Sequence, residues 1–223
     1  MPENLLEAGL EALSRSDADA GACFSGETAG LLSRYIEEIE LFNPAYGLVG
    51  AKNRPELIVK HILDSLAPLG IIRRLLKSRS EAAVGDAGSG AGLPGIPLAI
   101  ALPEYAFTLI ERMERRVRFL NSALAALGLP NASAEAVEIE RAGSERFDCL
   151  TFRALKPLDS ALLTALFRLL KPEGFLAAYK GRKEAINAEM KNAESLTGFW
   201  EAVPLRVPFL EEPRHLVIIR KPA

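Results

Sequence analysis

The sequence predicts a doubly wound α/β fold with a seven-stranded sheet, preceded by a helical extension. Beyond Arg79, short apolar runs alternate with stretches of helical periodicity, which is typical of βαβ units and a parallel sheet. The first predicted strand leads directly into the glycine-rich stretch Gly85–Gly95, and the second ends on Glu111. We therefore expect the helical extension over residues 1–75 and the sheet domain over residues 76–223.

The helical extension is predicted from two amphipathic segments. From Thr28 to Phe42, apolar residues recur at the spacing of one helix face, and Pro44 suits the end of that helix. A second helix is predicted from Pro55 to about Leu66, because proline is favoured in a first turn and apolar residues follow near one face.

The sheet domain contains apolar runs of strand length, with helical windows in the gaps between them. The predicted strands are Ala82–Asp86, Phe107–Glu111, Ala134–Val137, Phe147–Arg153, Phe175–Lys180, Ala202–Val207 and Leu216–Arg220. The predicted helices are Pro94–Ala101, Glu114–Leu127, Leu158–Leu170 and Lys183–Leu196. Prolines crowd the last connection between strands, which favours a closing hairpin.

The composition argues against several classes of protein. The chain has 223 residues, 49% hydrophobic and 25% charged, which suits a packed core rather than disorder. Its start lacks the basic flank and apolar run of a secretory signal, and its longest uncharged stretch, residues 87–103, is interrupted by prolines and too short to span a membrane. We therefore expect a cytoplasmic protein that spans no membrane.

The cysteines and the net charge argue against further kinds of site and partner. Cys23 and Cys149 stand alone, and only His61 and His215 could add imidazole ligands, so we expect neither a disulfide nor a metal site. The formal net charge of -2 argues against nonspecific coating of nucleic acid.

The most informative stretch runs from Asp86 through Gly88, Gly90 and Gly92 to Leu93. Glycines here allow a tight turn and a close approach of a ligand to the backbone N–H groups. A dinucleotide-binding loop would need a third glycine where Leu93 stands, so the pattern favours a ligand without phosphate groups. Two alternatives stay open: a glycine turn that only packs helix against strand, and an NAD(P)-dependent oxidoreductase with the same type of sheet.

Glu111 ends the second strand, where an acid in a doubly wound fold can accept hydrogen bonds from both ribose hydroxyls of an adenosine ligand. The alternative is a solvated carboxylate at a strand end. Adenosine without phosphate indicates S-adenosylmethionine as the cofactor and S-adenosylhomocysteine as the product. The predicted fold is then the Rossmann-like fold of class I methyltransferases that depend on this cofactor.

A cluster of arginines follows the second strand. Its members are Arg112, Arg115, Arg116 and Arg118. Guanidinium groups bind phosphate through paired hydrogen bonds, so the cluster is a candidate site for an RNA backbone. A solvated helix face is the open alternative, and the basic run Arg73–Arg79 allows the same two interpretations.

The expected chemistry needs no acid–base pair. Thr151–Ala154, at the end of the fourth strand, lacks the Asn/Asp-Pro-Pro-aromatic motif of enzymes that methylate exocyclic amines. Cys149 lies within an apolar strand and is predicted to be structural rather than nucleophilic. Purine N7 is a nucleophile whose lone pair is free at neutral pH. Catalysis then reduces to positioning and electrostatics.

Several separated segments carry a family resemblance. They are His61–Leu66, Asp86–Leu98, Glu111, Arg115–Leu120, Phe147–Asp148, Arg153–Ala154, Lys180–Gly181 and Arg214–Leu216. Together, from about Asn43 to Lys221, they resemble the ribosomal RNA small subunit methyltransferase G family, also called glucose-inhibited division protein B. The resemblance implies N7-methylation of one guanine in the 530 loop of 16S rRNA, by a single-domain protein with an N-terminal helical extension.

The resemblance also implies site residues. The cofactor contacts would be Gly88, Leu93, the pair Ile139 and Glu140, and Arg153. His61 and Arg153 are the candidate catalytic residues, and Lys180 is a candidate RNA contact with surface solvation as its alternative. His61 and Asp64 share one helix face and could line the substrate entrance, or His61 could only hold its helix on the core.

The chain departs from the family pattern in places. It has Gly47-Leu48-Val49 where the family usually has Asn-Leu-Thr, Arg115 where the family has lysine, and no basic residue before Ile139. The altered segment Gly47–Val49 keeps open a non-catalytic RNA-binding assembly factor that retains the fold. We expect the partner to be 16S rRNA or the small ribosomal subunit, and the protein to be a monomer.

Overall fold

The computed structural model describes residues 4–193 and 196–221 and contains a seven-stranded sheet. The strands are β1 (Ala83–Ala87), β2 (Ala106–Glu111), β3 (Ala132–Ala136), β4 (Phe147–Arg153), β5 (Leu170–Lys180), β6 (Trp200–Leu205) and β7 (Arg214–Arg220). Their order across the sheet is β3-β2-β1-β4-β5-β7-β6. The pairs among β1 to β5 are parallel, whereas β7 is antiparallel to both β5 and β6. The predicted doubly wound fold and closing hairpin are confirmed.

Helices precede the sheet and fill the crossovers. Those before it are α1 (Leu5–Ser16), α2 (Ala18–Gly21), α3 (Gly26–Tyr46), α4 (Arg54–Leu57), a π-helical turn (Ile58–Leu63), α5 (Asp64–Leu66) and α6 (Leu69–Leu76). Those after β1 are α7 (Gly95–Ala101), α8 (Glu114–Leu127), α9 (Ser160–Leu169) and α10 (Lys183–Asn192). The segment predicted as one helix from Pro55 to Leu66 therefore contains a π-helical turn that side-chain periodicity does not disclose.

The N-terminal helices differ from the prediction in two respects. Pro44 lies inside α3, which ends at Tyr46 because Gly47 adopts a left-handed conformation (φ 59°) and donates its N–H to the Asn43 carbonyl. Helices α1, α2 and α6 are absent from the prediction. The apolar face of α1 is buried. Arg74 of α6 binds Asp17, so this carboxylate neutralises part of the predicted basic run Arg73–Arg79.

Pairing sets the bounds of the later elements. β6 runs from Trp200 to Leu205 rather than over Ala202–Val207, because its pairs with β7 extend from Trp200 opposite Ile219 to Leu205 opposite Arg214. β5 extends back to Leu170, which pairs with the first residue of β4. The predicted helix Lys183–Leu196 ends at Asn192, and residues 194 and 195, which the prediction included, lie outside the described residues.

Two apolar clusters cover the sheet. One packs the N-terminal helices together with α7 and α8, and the other packs α9 and α10. Within residues 4–193 and 196–221, every helix is too short or too polar to cross a membrane.

Candidate functional site

Asp86, at the carboxyl end of β1, organises the loop that follows. Its Oδ2 accepts hydrogen bonds from Ser89 Oγ (2.6 Å) and from the Gly95 amide (3.0 Å), and its Oδ1 accepts one from Thr151 Oγ1 (3.2 Å). Burial raises the pKa of Asp86 to about 6, although these hydrogen bonds act to lower it. The carboxylate, predicted as a cofactor contact, is thus bound to the loop itself.

The glycine loop follows the predicted path between β1 and α7. Gly88 and Gly90 have φ values of +69° and +62°, a conformation that side-chain-bearing residues rarely adopt. A Cβ at Gly88 would lie 2.6 Å from Leu155 Cδ2, so the loop also passes close to the end of β4. Tyr35 of α3, which sequence reasoning missed, donates a hydrogen bond of 2.6 Å to the Ala91 carbonyl. The N-terminal helices therefore brace this loop.

The remaining loop positions point into the protein. Gly92 packs against Ile96 and Leu120, where an added Cβ would clash. The Leu93 side chain is buried in the core, and its amide donates to the Ser89 carbonyl (3.1 Å). The Leu93 side chain, predicted as a cofactor contact, therefore packs against the loop from the side of the core.

Glu111, at the carboxyl end of β2, lies beside the loop as predicted. Its Oε2 accepts a hydrogen bond from the Gly90 amide (3.0 Å), and its Oε1 accepts one from the Met113 amide (2.8 Å). Arg116 Nη1 lies 3.8 Å from Glu111 Oε2. Only 4% of Glu111 is exposed, so this is a buried anion rather than a solvated strand end.

A cavity of about 610 Å³ opens at this edge of the sheet, which is within the range of roughly 300–1,000 Å³ usual for small-molecule sites. Its lining includes Gly88, Ile110, Glu111, Arg112, Met113, Arg116, Val137, Glu138, Ile139, Glu140, Ala154, Leu155, Lys156 and Leu162. Gly88, Glu111, Ile139 and Glu140 were predicted as cofactor contacts, and the fold brings them together here. A cavity of about 450 Å³ between α1, α3 and α4 contains none of the predicted site residues in its lining.

Arg153 and His61, the two candidate catalytic residues, contact each other. Arg153 Nη2 lies 3.2 Å from His61 Nδ1, while its Nη1 donates to Asp64 Oδ2 (3.0 Å) and to the Lys60 carbonyl (3.2 Å). Burial and the charge of Arg153 lower the pKa of His61 to about 4, so the imidazole is neutral at pH 7. The Arg153 guanidinium thus lies against the N-terminal helices, not in the cavity lining.

The predicted arginine cluster does not form one surface. Arg112 lies exposed at the cavity and Arg116 lines it, with a buried Nε that has no hydrogen-bond partner among the described residues. Arg115 donates to the Tyr46 carbonyl (2.9 Å) and lies over the Tyr46 ring. Arg118 is exposed and lies 3.9 Å from Glu114. Consecutive residues on a helix point in directions about 100° apart, which separates Arg115 from Arg116.

Other predicted basic residues are already paired. Lys180 Nζ donates to Glu189 Oε1 (2.7 Å) and is largely buried, so a phosphate contact would require that pair to open. Arg79 binds Asp148 at the opposite, amino edge of the sheet. Cys149 is fully buried, and burial raises the pKa of its thiol, as expected for a structural cysteine. In the described part of the chain, no group of three or more His, Cys, Asp or Glu side chains is placed to hold a metal ion.

Arg214 and Leu155 are site residues that sequence reasoning did not assign. Arg214 Nε donates to Asp64 Oδ1 (3.0 Å), and the segment Arg214–Leu216 had already contributed to the family resemblance, so a signal was present. Leu155 forms a cavity wall against Gly88 and carries no chemical signal of its own.

Comparison with known proteins shows the family of this chain. Residues 29–217 match the family model described as "rRNA small subunit methyltransferase G". The ribosomal RNA small subunit methyltransferase G of Treponema pallidum strain Nichols is 42% identical over 196 residues, covering 86% of this chain and 85% of the relative. Its namesake from Nitrosococcus oceani is 39% identical over 223 residues, covering 98% and 94%.

Solved structures support the fold alone. A tRNA methyltransferase from Aquifex aeolicus superposes with a TM-score of 0.55 at 16% identity, over 70% of this chain and 69% of that one. A SAM-dependent methyltransferase from the same organism gives a TM-score of 0.52 at 16% identity, over 70% and 91%.

Proposed function

Because this chain belongs to the rRNA small subunit methyltransferase G family, we propose that it methylates N7 of a guanine in the 530 loop of 16S rRNA. The cofactor is S-adenosylmethionine and the product S-adenosylhomocysteine. The reaction takes place in the cytoplasm, on the RNA or on the small subunit that contains it.

The observation that carries the proposal is the cavity at the carboxyl ends of β1, β2 and β4. A glycine loop that tolerates close approach and a buried carboxylate at the next strand end share its wall. In doubly wound sheets, ligands bind at this edge, where the strand order reverses. The loop lacks the third glycine of a dinucleotide site, so an oxidoreductase is disfavoured.

The residues present fit S-adenosylmethionine. Glu111 would hold the ribose hydroxyls, and the backbone at Gly88 and Gly90 would border the methionine part. Ile139 and Glu140 would flank the adenine. Arg116 lines the cavity, and its Nη1 lies 3.8 Å from Glu111 Oε2, beside the proposed ribose position. Arg116 therefore belongs to the cofactor site rather than to the RNA surface.

The bound cofactor supplies a methyl group on a sulfonium centre, which a neutral nitrogen nucleophile can attack without first losing a proton. The protein then has to orient guanine and exclude water, with no general base. Two features agree with this chemistry. His61 is a weak base because its pKa is about 4, and its Nδ1 already accepts a hydrogen bond from Arg153. Cys149 is buried and protonated, so it forms no covalent bond to the base.

The RNA would approach over the exposed arginines beside the cavity. Arg112 and Arg118 are exposed and can bind phosphate oxygens, since the surface pair of Arg118 with Glu114 is weak. Arg115 would contribute from its position on Tyr46. The target guanine has to be unpaired or extruded for its N7 to reach the methyl group.

The test is to map N7-methylguanosine in 16S rRNA from cells that carry or lack this chain, with a Gly90→Val variant as the matched control. We expect one methylated guanine in the 530 loop with the wild-type chain only. A methyl group on another atom or base would contradict the assigned chemistry. RNA binding without methyl transfer would identify the assembly-factor alternative.

A further inference from the structure

One buried carboxylate ties three parts of the protein together next to the cavity. Asp64, whose side chain is 6% exposed, accepts hydrogen bonds from Arg153 of β4 and Arg214 of β7, each at 3.0 Å. It stands in α5, directly after the π-helical turn. A single buried anion thus fixes two cations that come from different strands.

This helical segment holds the Arg153 side chain through three groups: the Asp64 carboxylate, the Lys60 carbonyl and His61 Nδ1. The guanidinium therefore spans acceptors on the π-helical turn and on α5. Short π-helical segments occur frequently at functional sites, where they alter the path of a helix. The position of the Arg153 guanidinium, outside the cavity lining, follows from where this segment places its acceptors.

The main chain after Arg153 continues directly into the cavity wall. Ala154 has a φ of +56°, which is rare for a residue with a side chain and persists where surrounding contacts hold it. Leu155 then packs over Gly88, and Ala154, Leu155 and Lys156 all line the cavity. Anchoring the Arg153 side chain on one side thus sets the position of the wall on the other side.

We propose that Asp64 is a positioning residue for methyl transfer: acting through Arg153, it holds the end of β4 so that residues 154–156 form the wall of the cofactor cavity. This inference rests on the proposed function, because it concerns the same cavity. Asp64 itself touches neither the cofactor nor the guanine.

The chain offers a matched control. Asp148, whose side chain is 7% exposed, is likewise a buried carboxylate with two cationic partners, Arg79 and Lys171, but it lies at the amino edge of the sheet. Asp64→Asn and Asp148→Asn each remove one buried charge that holds two cations, and both should lower the Tm. A purely structural role for Asp64 would give the two variants the same ligand binding.

The experiment measures the Kd for S-adenosylhomocysteine by calorimetry, together with kcat and KM for methyl transfer to small-subunit RNA. We expect Asp64→Asn to weaken binding at least tenfold and to lower kcat, and Asp148→Asn to stay within twofold of wild type. Arg153→Lys should weaken binding similarly, and the double variant Asp64→Asn with Arg153→Lys should be no weaker than the weaker single variant, because both act through one contact.

Equal binding by Asp64→Asn and Asp148→Asn, or full additivity in the double variant, overturns the inference while leaving the proposed function intact. If Asp64→Asn does not fold, Arg153→Lys decides, and binding within twofold of wild type overturns the inference. Wild-type protein that does not bind S-adenosylhomocysteine overturns the proposed function and this inference with it.

Discussion

The two edges of the sheet contain similar local features, yet we assign the proposed cofactor site to the carboxyl edge. At the carboxyl edge, Asp86 accepts hydrogen bonds from neutral donors, and Gly90 adopts a left-handed conformation and donates its N–H to Glu111, which lines the cavity. At the amino edge, Asp148 is buried among cations, and Gly128 adopts the same left-handed conformation at the end of α8. A buried carboxylate or a left-handed glycine therefore does not by itself indicate a binding site. Its position relative to the strand ends and its charged neighbours decide what it does.

The largest effect on cofactor binding should come from replacing Gly90 with valine, compared with the same replacement at Gly128. Gly90 (φ +62°) and Gly128 (φ +63°) impose the same backbone strain on a side chain, and a Cβ would meet no close contact at either. Gly90→Val should reduce S-adenosylhomocysteine binding at least 100-fold, a loss of roughly 3 kcal/mol or more. The reason is that it places a branched side chain where the ligand must approach the backbone.

Gly128→Val is the control for this prediction. It should lower the Tm to a similar extent and keep the wild-type Kd in calorimetric titration. If a folded Gly90→Val variant binds as tightly as Gly128→Val, the glycine loop is not the cofactor site.

The sequence predictions succeeded for features set by local patterns and failed for features set by tertiary contacts. The alternating strands, the place of the glycine loop after β1 and the place of Glu111 at the end of β2 were predicted correctly, because each is a local pattern with a fixed place in a doubly wound sheet. The direction of Arg153 was not predictable, since it depends on Asp64, which is distant in sequence and is positioned by a π-helical turn. The different contacts of Arg115 and Arg116 also depend on tertiary neighbours, namely Tyr46 and Glu111.

The second effect is a difference in how the two buried carboxyl groups, Asp86 and Asp148, make the free energy of unfolding depend on pH. Burial raises the pKa of Asp86 to about 6 from an ordinary value of 3.8, so the folded state binds a proton that the unfolded state has released. Stability should then fall as the pH rises from about 4 to about 6, by on the order of 3 kcal/mol. Urea unfolding at several pH values measures this, and Asp86→Asn should flatten the slope over that range.

The contribution of Asp148 to stability should change with pH in the opposite direction. Burial acts to raise its pKa, but hydrogen bonds from Lys171, the Ala83 amide and Arg79 outweigh burial and lower the pKa below 3.8. Its stabilisation is therefore present above about pH 4 and is lost as the pH falls below that value. Asp148→Asn should leave the slope between pH 4 and 6 unchanged, and a flattened slope there would refute the contrast between the two carboxylates.

The third effect concerns the ribose. Glu111→Gln should weaken S-adenosylhomocysteine binding by about 1–3 kcal/mol, the range for a lost charge-assisted hydrogen bond. The same change at Glu135, a carboxylate of β3 that binds Arg146, serves as the control and should leave the Kd unchanged. A Kd for Glu111→Gln within error of wild type would remove Glu111 from the cofactor site.

The smallest effect should distinguish the cationic surfaces of the two edges. Arg112 and Arg118 are exposed beside the cavity, whereas Lys77 and Arg220 are exposed at the amino edge. Each phosphate contact contributes roughly 0.7–0.9 to the slope of log K against log salt, so Arg112→Gln with Arg118→Gln should lower RNA affinity and flatten that slope by about 1.4–1.8. Lys77→Gln with Arg220→Gln removes the same charge and should change neither. S-adenosylhomocysteine affinity should stay constant in Lys77→Gln with Arg220→Gln but fall in Arg116→Gln, because Arg116 Nη1 lies 3.8 Å from Glu111 Oε2 in the wall of the cofactor cavity. Equal slopes for the two double variants would mean that the RNA does not pass over the carboxyl edge beside α8, and the assignment of this surface would be wrong.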